Sequence, residues 1–279
     1  MKIILSRKGF DARAGGCASP IFEDGSFLSL PIPESEFSNV SLADIRGPHR
    51  IGRIVQDLTR GRRRHLQPST HIHLDPDLRR DLRERKPGWR PLFGQAMAAQ
   101  RHLELQGVTI EDIFLFFGWF RQVEERDGQF RFKPGSPDVH MLFGWLEVGD
   151  IWHLPEDARR IPSWATDHPH VSASWPRNTI YAAAQTDTRC AAGTFRSAAA
   201  ELILTRKDHS RSRWCLPKWF HPSKRKSTLS YHSNASRWDQ DNAHAYLQSV
   251  GIGQEFVLDT GDYPEAVDWA RGLIAKNAD

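Results

Sequence analysis

The run His71-Ile72-His73-Leu74-Asp75 sets two imidazoles and a carboxylate at alternate positions. In an extended chain alternate side chains leave the same face, so His71, His73 and Asp75 would converge while Ile72 and Leu74 turn to a core. Such a trio can move a proton, orient a ligand or hold a divalent cation. A metal-free catalytic or ligand-binding strand is the expectation here, and no metal is assigned. A polar edge strand carrying surface histidines would show the same alternation. His168-Pro169-His170 repeats the residue types in a stretch where proline suggests a loop.

Positive charge is sorted along the chain. Residues 205–237 hold nine Lys and Arg against one acid, Asp208, although the whole chain is only +4. Within that segment Arg206, Arg211, Arg213 and Lys218 are interleaved with Trp214 and Trp219, and Tyr231 and His232 follow. Aromatic faces between cations can stack bases while the cations hold phosphates, so Trp214 and Trp219 are expected at the surface. A second cluster, Arg60-Gly61-Arg62-Arg63-Arg64-His65, closes a helical pattern, where its charge also suits the C-terminal dipole. Arg62 and Arg63 are read as phosphate contacts, together with Lys8 near the start of the chain. Affinity for a polyanion is expected to depend on Arg211, Arg213 and Lys218 more than on Arg60–Arg64. The bland alternative is a solvated face balanced by the acidic residues that follow Arg237.

Several classes are excluded or made unattractive. No GxGxxG or GxxxxGK[ST] run occurs, which argues against the usual dinucleotide and phosphate-loop sites, and no GxSxG elbow is present. Cys17, Cys190 and Cys215 are widely spaced with no CxxC pair, so a structural zinc site of ordinary spacing is not expected. The apolar stretch at Lys2–Leu5 is too short for a signal-peptide core, and no stretch suits a membrane span. A reduced, cytoplasmic location is the resulting expectation.

The elements that must position these residues are short. Lys2–Leu5 reads as a strand, and Asp24-Gly25 as a hairpin turn between Ile21-Phe22 and Phe27-Leu28. Residues 41–60 are helical in pattern, with Ile51, Ile54, Val55 and Leu58 on one face. A second helix is predicted from about Gly94 to Gln106, stopped by Gly107. The aromatic runs 112–123 and 139–151, each with an FGW triplet, predict an antiparallel meander of barrel-like form. Further strands are predicted at 178–184, 200–204 and 255–258, a long loop over 206–237, and a closing helix from Tyr263 to Lys276. The class is α+β, a single domain over residues 1–279 with flanking helices. The turn Arg7–Asp11 is expected beside the strand that holds Glu255.

Five segments carry a resemblance: IILSRKGFDARAGGCASPIFEDGSFLSLPIP near the start, PGWRPLFGQ at 87–95, DIFLFFGWF at 112–120, LSYHSNASRW at 229–238 and GQEFVLD at 253–259. They resemble the bacterial and phage family called nucleotide modification associated domain 3, over nearly the whole chain. The resemblance implies a role in making or handling modified bases in DNA, with no settled reaction to carry over. It points to a nucleotide or nucleic-acid partner, DNA ahead of free nucleotide, and to other base-modification enzymes as associates. The cofactor stays unassigned and no membrane is implied. A nucleotide- or DNA-modifying enzyme, a transferase by class, would draw its catalytic groups from Arg7, His71, His73, Asp75 and Glu255. Two alternatives stay open. One is an ADP-ribosyltransferase-like enzyme using Arg7, Ser230 and Glu255, against which the long gap from Arg7 to Ser230 counts. The other is a non-catalytic reader with a PUA-like barrel, in which Trp119 or Trp145 lines a pocket for a flipped base.

Overall fold

The aromatic runs become the longest strands because both of their faces are covered. In the computed structural model, which describes all residues except 35, 48–49, 186–189, 252 and 279 and the side chain of Lys224, the first strand is β1 (Lys2–Arg7). It is followed by β2 (Ser19–Ile21), β3 (Ile32–Pro33), α1 (Ile51–Thr59), β4 (Ile72–His73), β5 (Leu92–Gln95) and α2 (Met97–Leu105). Next come β6 (Ile113–Arg126), β7 (Gln129–Phe132), β8 (Val139–Leu154), α3 (Pro169–Ser172), β9 (Asn178–Ala183) and β10 (Ala192–Thr194). The chain continues through β11 (Arg213–Pro217), β12 (Trp238–Gln240), β13 (His244–Gln248), β14 (Glu255–Asp259) and α4 (Glu265–Asn277).

The main sheet runs β14-β1-β6-β8-β9-β5, with β2 and β7 also on β6 and β10 on β8. Most pairs are antiparallel, but β1 and β2 lie parallel to β6. Phe114 and Phe116 of β6 pack on Phe93 of β5 from one face, while Phe117 meets Trp214 and Phe256 on the other. That two-sided burial explains why this stretch is a continuous apolar run instead of an alternating one. Gly118 of the first FGW triplet has a physical reason: a Cβ there would sit 2.9 Å from the Lys8 carbonyl oxygen, where β1 ends against β6.

The long strand β6 pairs with β1, β2, β7 and β8, and β8 pairs with β6, β9 and β10, and the sheet curls. Its two ends approach each other closely enough for Gln95 on β5 to donate to Glu255 on β14. No closed backbone ladder joins those ends among the described residues, so the expected PUA-like barrel is not present there; the sheet is curved and meets itself through side chains.

Three other expectations are corrected. Residues 200–202 form a 3-10 turn in place of a strand, with only Ile203 bridging to Met141. The predicted second helix starts later, at Met97, because Leu92–Gln95 pairs with β9. Residues 206–237 are not one loop, since β11 pairs with β13 in a small three-stranded sheet. That pairing buries Trp214 completely, against the expectation of a surface residue, because alternate positions of a half-covered strand face the core.

Trp214 donates its indole N–H to Nδ1 of His140 at 3.0 Å. Burial, helped by Arg7 and Arg211, pushes the His140 pKa down to about 3, which keeps that acceptor nitrogen free of a proton. His232 is likewise lowered to about 4, chiefly by burial. A histidine depressed in the folded state contributes stability that is fully present above its unfolded pKa of 6.5 and is lost as pH falls toward the folded value. Each of these two groups should therefore cost about 1.4 kcal/mol per pH unit between roughly pH 6.5 and 4. Denaturant unfolding at pH 7 and pH 4.5 measures this, and equal stabilities would contradict it.

Candidate functional site

Glu255 opens β14 directly opposite Ser6 of β1, and Lys8 leaves the same end of β1. The Glu255 side chain is 0% exposed and that of Lys8 10%. A buried carboxylate needs partners, and Glu255 Oε1 accepts from Lys8 Nζ at 2.9 Å and from Gln95 Nε2 at 2.6 Å. The Gln95 amide cannot turn freely, because its oxygen accepts from the Ala96 backbone N–H at 3.0 Å. The other carboxylate oxygen, Oε2, is buried and has no hydrogen-bond partner among the described residues. Lys8 also lies 4.5 Å from the centroid of the Phe93 ring.

Around this pair sit groups able to take part in chemistry. His102 on α2 meets the Ser230 hydroxyl through Nε2 at 2.9 Å. Burial lowers the His102 pKa, against the pull of Glu255, which favours a neutral ring. Ser230 Oγ also accepts from the Val257 backbone N–H at 2.8 Å. Tyr231 lies over the His102 ring at 4.3 Å between centroids and is 43% exposed. It holds φ of +65°, a conformation an aromatic residue adopts only when its surroundings impose it. His232 supplies part of that constraint. Its Nδ1 bonds the Ser230 carbonyl at 2.8 Å and its Nε2 accepts from Val250 N at 3.2 Å, so both nitrogens are engaged within the protein.

Arg7, expected beside Glu255, does lie next to its strand, with its backbone N–H bonded to the Gln254 carbonyl. Its guanidinium, however, donates to the carbonyls of Val250 and Gly251 and lies between the Phe117 and Phe256 rings. Arg7 thereby anchors the segment that precedes β14.

The HIHLD run does not converge as a trio. Its regular extended part is only the two-residue β4, paired with β3, and His71 is exposed on a bridge to Ser41. His73 and Asp75 instead meet His168 and His170, which the sequence places about ninety positions away. Asp75 Oδ2 lies 3.6 Å from His73 Nε2 and 3.7 Å from His170 Nε2, and Oδ1 lies 3.6 Å from His168 Nε2. Burial raises the Asp75 pKa, but the His168 and His73 imidazoles and the neighbouring charges outweigh it and hold the carboxylate below its ordinary range. Burial pushes His170 down to about 3. Gly94 of β5 donates its backbone N–H to Asp75 Oδ1 at 2.8 Å. Because side chains alternate along β5, Phe93 and Gln95 face the Glu255 centre while Gly94 faces the histidines.

The basic residues are more engaged than their composition suggests. Arg206 stacks on Tyr246 at 3.9 Å and Arg211 on Trp119 at 4.1 Å, while Arg213 reaches Asp239 at 3.9 Å. Lys218 Nζ donates to the Asn242 carbonyl. Trp219 is half-buried, stacked on Phe220 at 4.1 Å and edge-on to Trp269, and with Lys218 it borders an open concavity. Arg62 is tied to the Leu58 and Gly16 carbonyls. Arg63 is exposed and, with Arg13, Arg62 and Arg64, borders an open concavity of about 600 Å³ beside Gly15 and Gly16.

Gln95, His102, His168, His170 and Asn178 join these two centres without having been chosen from the sequence as catalytic. The His168-Pro169-His170 run was a visible signal. Gln95 and His102 carried none, since they read as parts of one helix. A comparison with curated proteins gives no match, and neither does one with solved structures. The model of nucleotide modification associated domain 3 matches residues 2–259, more than nine-tenths of the chain, and covers both polar centres. The chain therefore belongs to the nucleotide modification associated domain 3 family.

Proposed function

We propose that the protein is an enzyme that binds a nucleotide, free or within DNA, against Tyr231 and uses the Glu255 carboxylate on it. The family supports a nucleotide-modification role in general. The observation that carries the enzymatic reading is the buried carboxylate oxygen Oε2, left without a partner while Lys8 and Gln95 hold Oε1. An unsatisfied buried oxygen costs stability, which marks Oε2 as an atom kept for an incoming group. An enzyme can use it as the atom that takes a proton or faces positive charge developing on the substrate. Lys8 and Gln95 then act by orienting that carboxylate, and the His102–Ser230 pair supplies a second proton-transfer group. The exposed Tyr231 face offers stacking, and the concavity at Arg13, Arg63 and Arg64 offers phosphate contacts.

An ADP-ribosyltransferase-like reaction gains from one observation. Ser230 bonds to β14 through Val257, and Arg7 to the residue before Glu255, so the sequence gap that argued against this trio is closed by the fold.

Tyr231→Ala tests the binding half. Base stacking on an aromatic ring is worth about 1–3 kcal/mol, so affinity for nucleoside monophosphates and short single-stranded DNA should fall roughly 5- to 150-fold. Circular dichroism should show an unchanged fold. Unaltered affinity for every ligand that the wild type binds would defeat the proposed placement.

A further inference from the structure

We propose that His73, Asp75 and His170 hold one divalent transition-metal ion of the zinc or ferrous type, on the face of β5 opposite Glu255. One nitrogen from each histidine and one carboxylate oxygen lie within 4.8 Å of one another. An ion held about 2.1 Å from each ligand in tetrahedral geometry sets its ligands ~3.4 Å apart. The distances of 3.6 and 3.7 Å from Asp75 Oδ2 to the two Nε2 atoms are close to that separation. They are also too long for hydrogen bonds, so direct His–Asp bonding does not account for the arrangement.

The surroundings are those of a prepared ligand set. Asn178 is buried, and its amide N–H groups donate to the carbonyls of His170 and Ala173 at 2.7 and 2.9 Å. That fixes its oxygen toward His170 Nδ1, 2.6 Å away, which must then carry the proton. His170 Nε2 is left as a lone pair directed at the cluster, the orientation that a partner of a metal-bound histidine imposes. Asp75 is oriented in the same way, because Gly94 N–H holds Oδ1 and leaves Oδ2 toward the two ligand imidazoles.

Gly94 is required for this approach: a Cβ there would lie 2.2 Å from His170 Cδ2. Trp175 closes the site over His73 and His170 at 5.8 and 4.9 Å between centroids. A further buried nitrogen, His168 Nε2, has no hydrogen-bond partner among the described residues; its side chain is 1% exposed and lies 3.6 Å from Asp75 Oδ1. His168 Nδ1 accepts from the His170 backbone N–H, so Nε2 carries the proton and faces Asp75 Oδ1, which leaves Oδ2 to the two ligand imidazoles. Two imidazoles and one carboxylate without thiolate suit zinc or ferrous iron better than calcium or magnesium, which take oxygen ligands. The site leaves at least one coordination position open to water or ligand.

The test uses the whole chain, stripped with chelator and titrated with Zn²⁺ by calorimetry and with Co²⁺ by visible spectroscopy, with no nucleotide present. One equivalent should bind. His73→Ala and His170→Ala should each weaken binding at least 100-fold, Asn178→Ala roughly 10- to 100-fold, and His71→Ala not at all. Should a ligand variant fail to fold, the wild-type Co²⁺ spectrum still decides, since a nitrogen–oxygen site gives visible bands without thiolate charge transfer. No saturable equivalent, a thiolate band, or folded His73→Ala and His170→Ala proteins that bind like the wild type would each overturn the proposal. Because nothing here depends on nucleotide binding or turnover, its failure leaves the Glu255 reading standing, and the reverse holds.

Discussion

Glu255→Gln is expected to cut turnover by about 10²- to 10⁴-fold while nucleotide affinity stays nearly unchanged. The substitution keeps the shape of the side chain. Its amide oxygen can still accept from Lys8 Nζ and Gln95 Nε2, which now hold Oε1 at 2.9 and 2.6 Å. What it removes is the negative charge and basicity of Oε2, the atom with no hydrogen-bond partner among the described residues. An interaction made mainly with the transition state affects the rate and leaves binding alone. The measurement is mass spectrometry of nucleosides released from DNA, and of free nucleotides, after incubation with each protein. A parallel arm with labelled NAD reads label transfer and separates the ADP-ribosyl chemistry from other modifications. A variant with wild-type turnover would remove Glu255 from the chemistry.

Lys8→Ala should be the most damaging single change to stability at this centre, lowering the unfolding free energy by about 3–5 kcal/mol. Lys8 is one-tenth exposed and Glu255 fully buried, so solvent screens their attraction little. Deleting the ammonium leaves a carboxylate in the interior with the Gln95 amide as its one remaining side-chain hydrogen-bond donor among the described residues. The pair itself contributes less than this loss suggests, because burying two charges is costly in the first place. The double change Lys8→Met with Glu255→Leu should accordingly recover most of the stability while losing turnover. Denaturant midpoints of the three proteins give the comparison. A loss under about 1 kcal/mol for Lys8→Ala would mean that water reaches the pair.

Much of the secondary structure is legible locally. The helix with Ile51, Ile54, Val55 and Leu58 on one face, the strands at the two FGW triplets and the closing helix all follow from periodicity and turn residues. The basic segment misleads because alternation and composition give opposite answers there. Nine cations suggest a solvated loop, yet Trp214, Leu216 and Phe220 need a core; β11 buries the first two and the 3-10 turn that follows it buries the third. The His71–Asp75 run misleads for a related reason. Period-two reasoning assumes a strand of several residues, and the paired strand is only two residues long, so His71 departs from the other two.

Both polar centres depend on contacts between residues far apart in the chain. Glu255 and Lys8 are separated by 247 positions, Glu255 and Gln95 by 160, and Asp75 and His170 by 95. Sequence by itself determined which chemistry is affordable: imidazoles and carboxylates without thiolate pairs, sorted positive charge, a family signature over residues 2–259, and the strand ends where Lys8 and Glu255 stand. Only the tertiary structure decided which of those groups meet. Local propensity acts within a few residues, whereas the curl of one sheet brings β5 to β14 and sets Gln95 against Glu255 and Gly94 beneath His170.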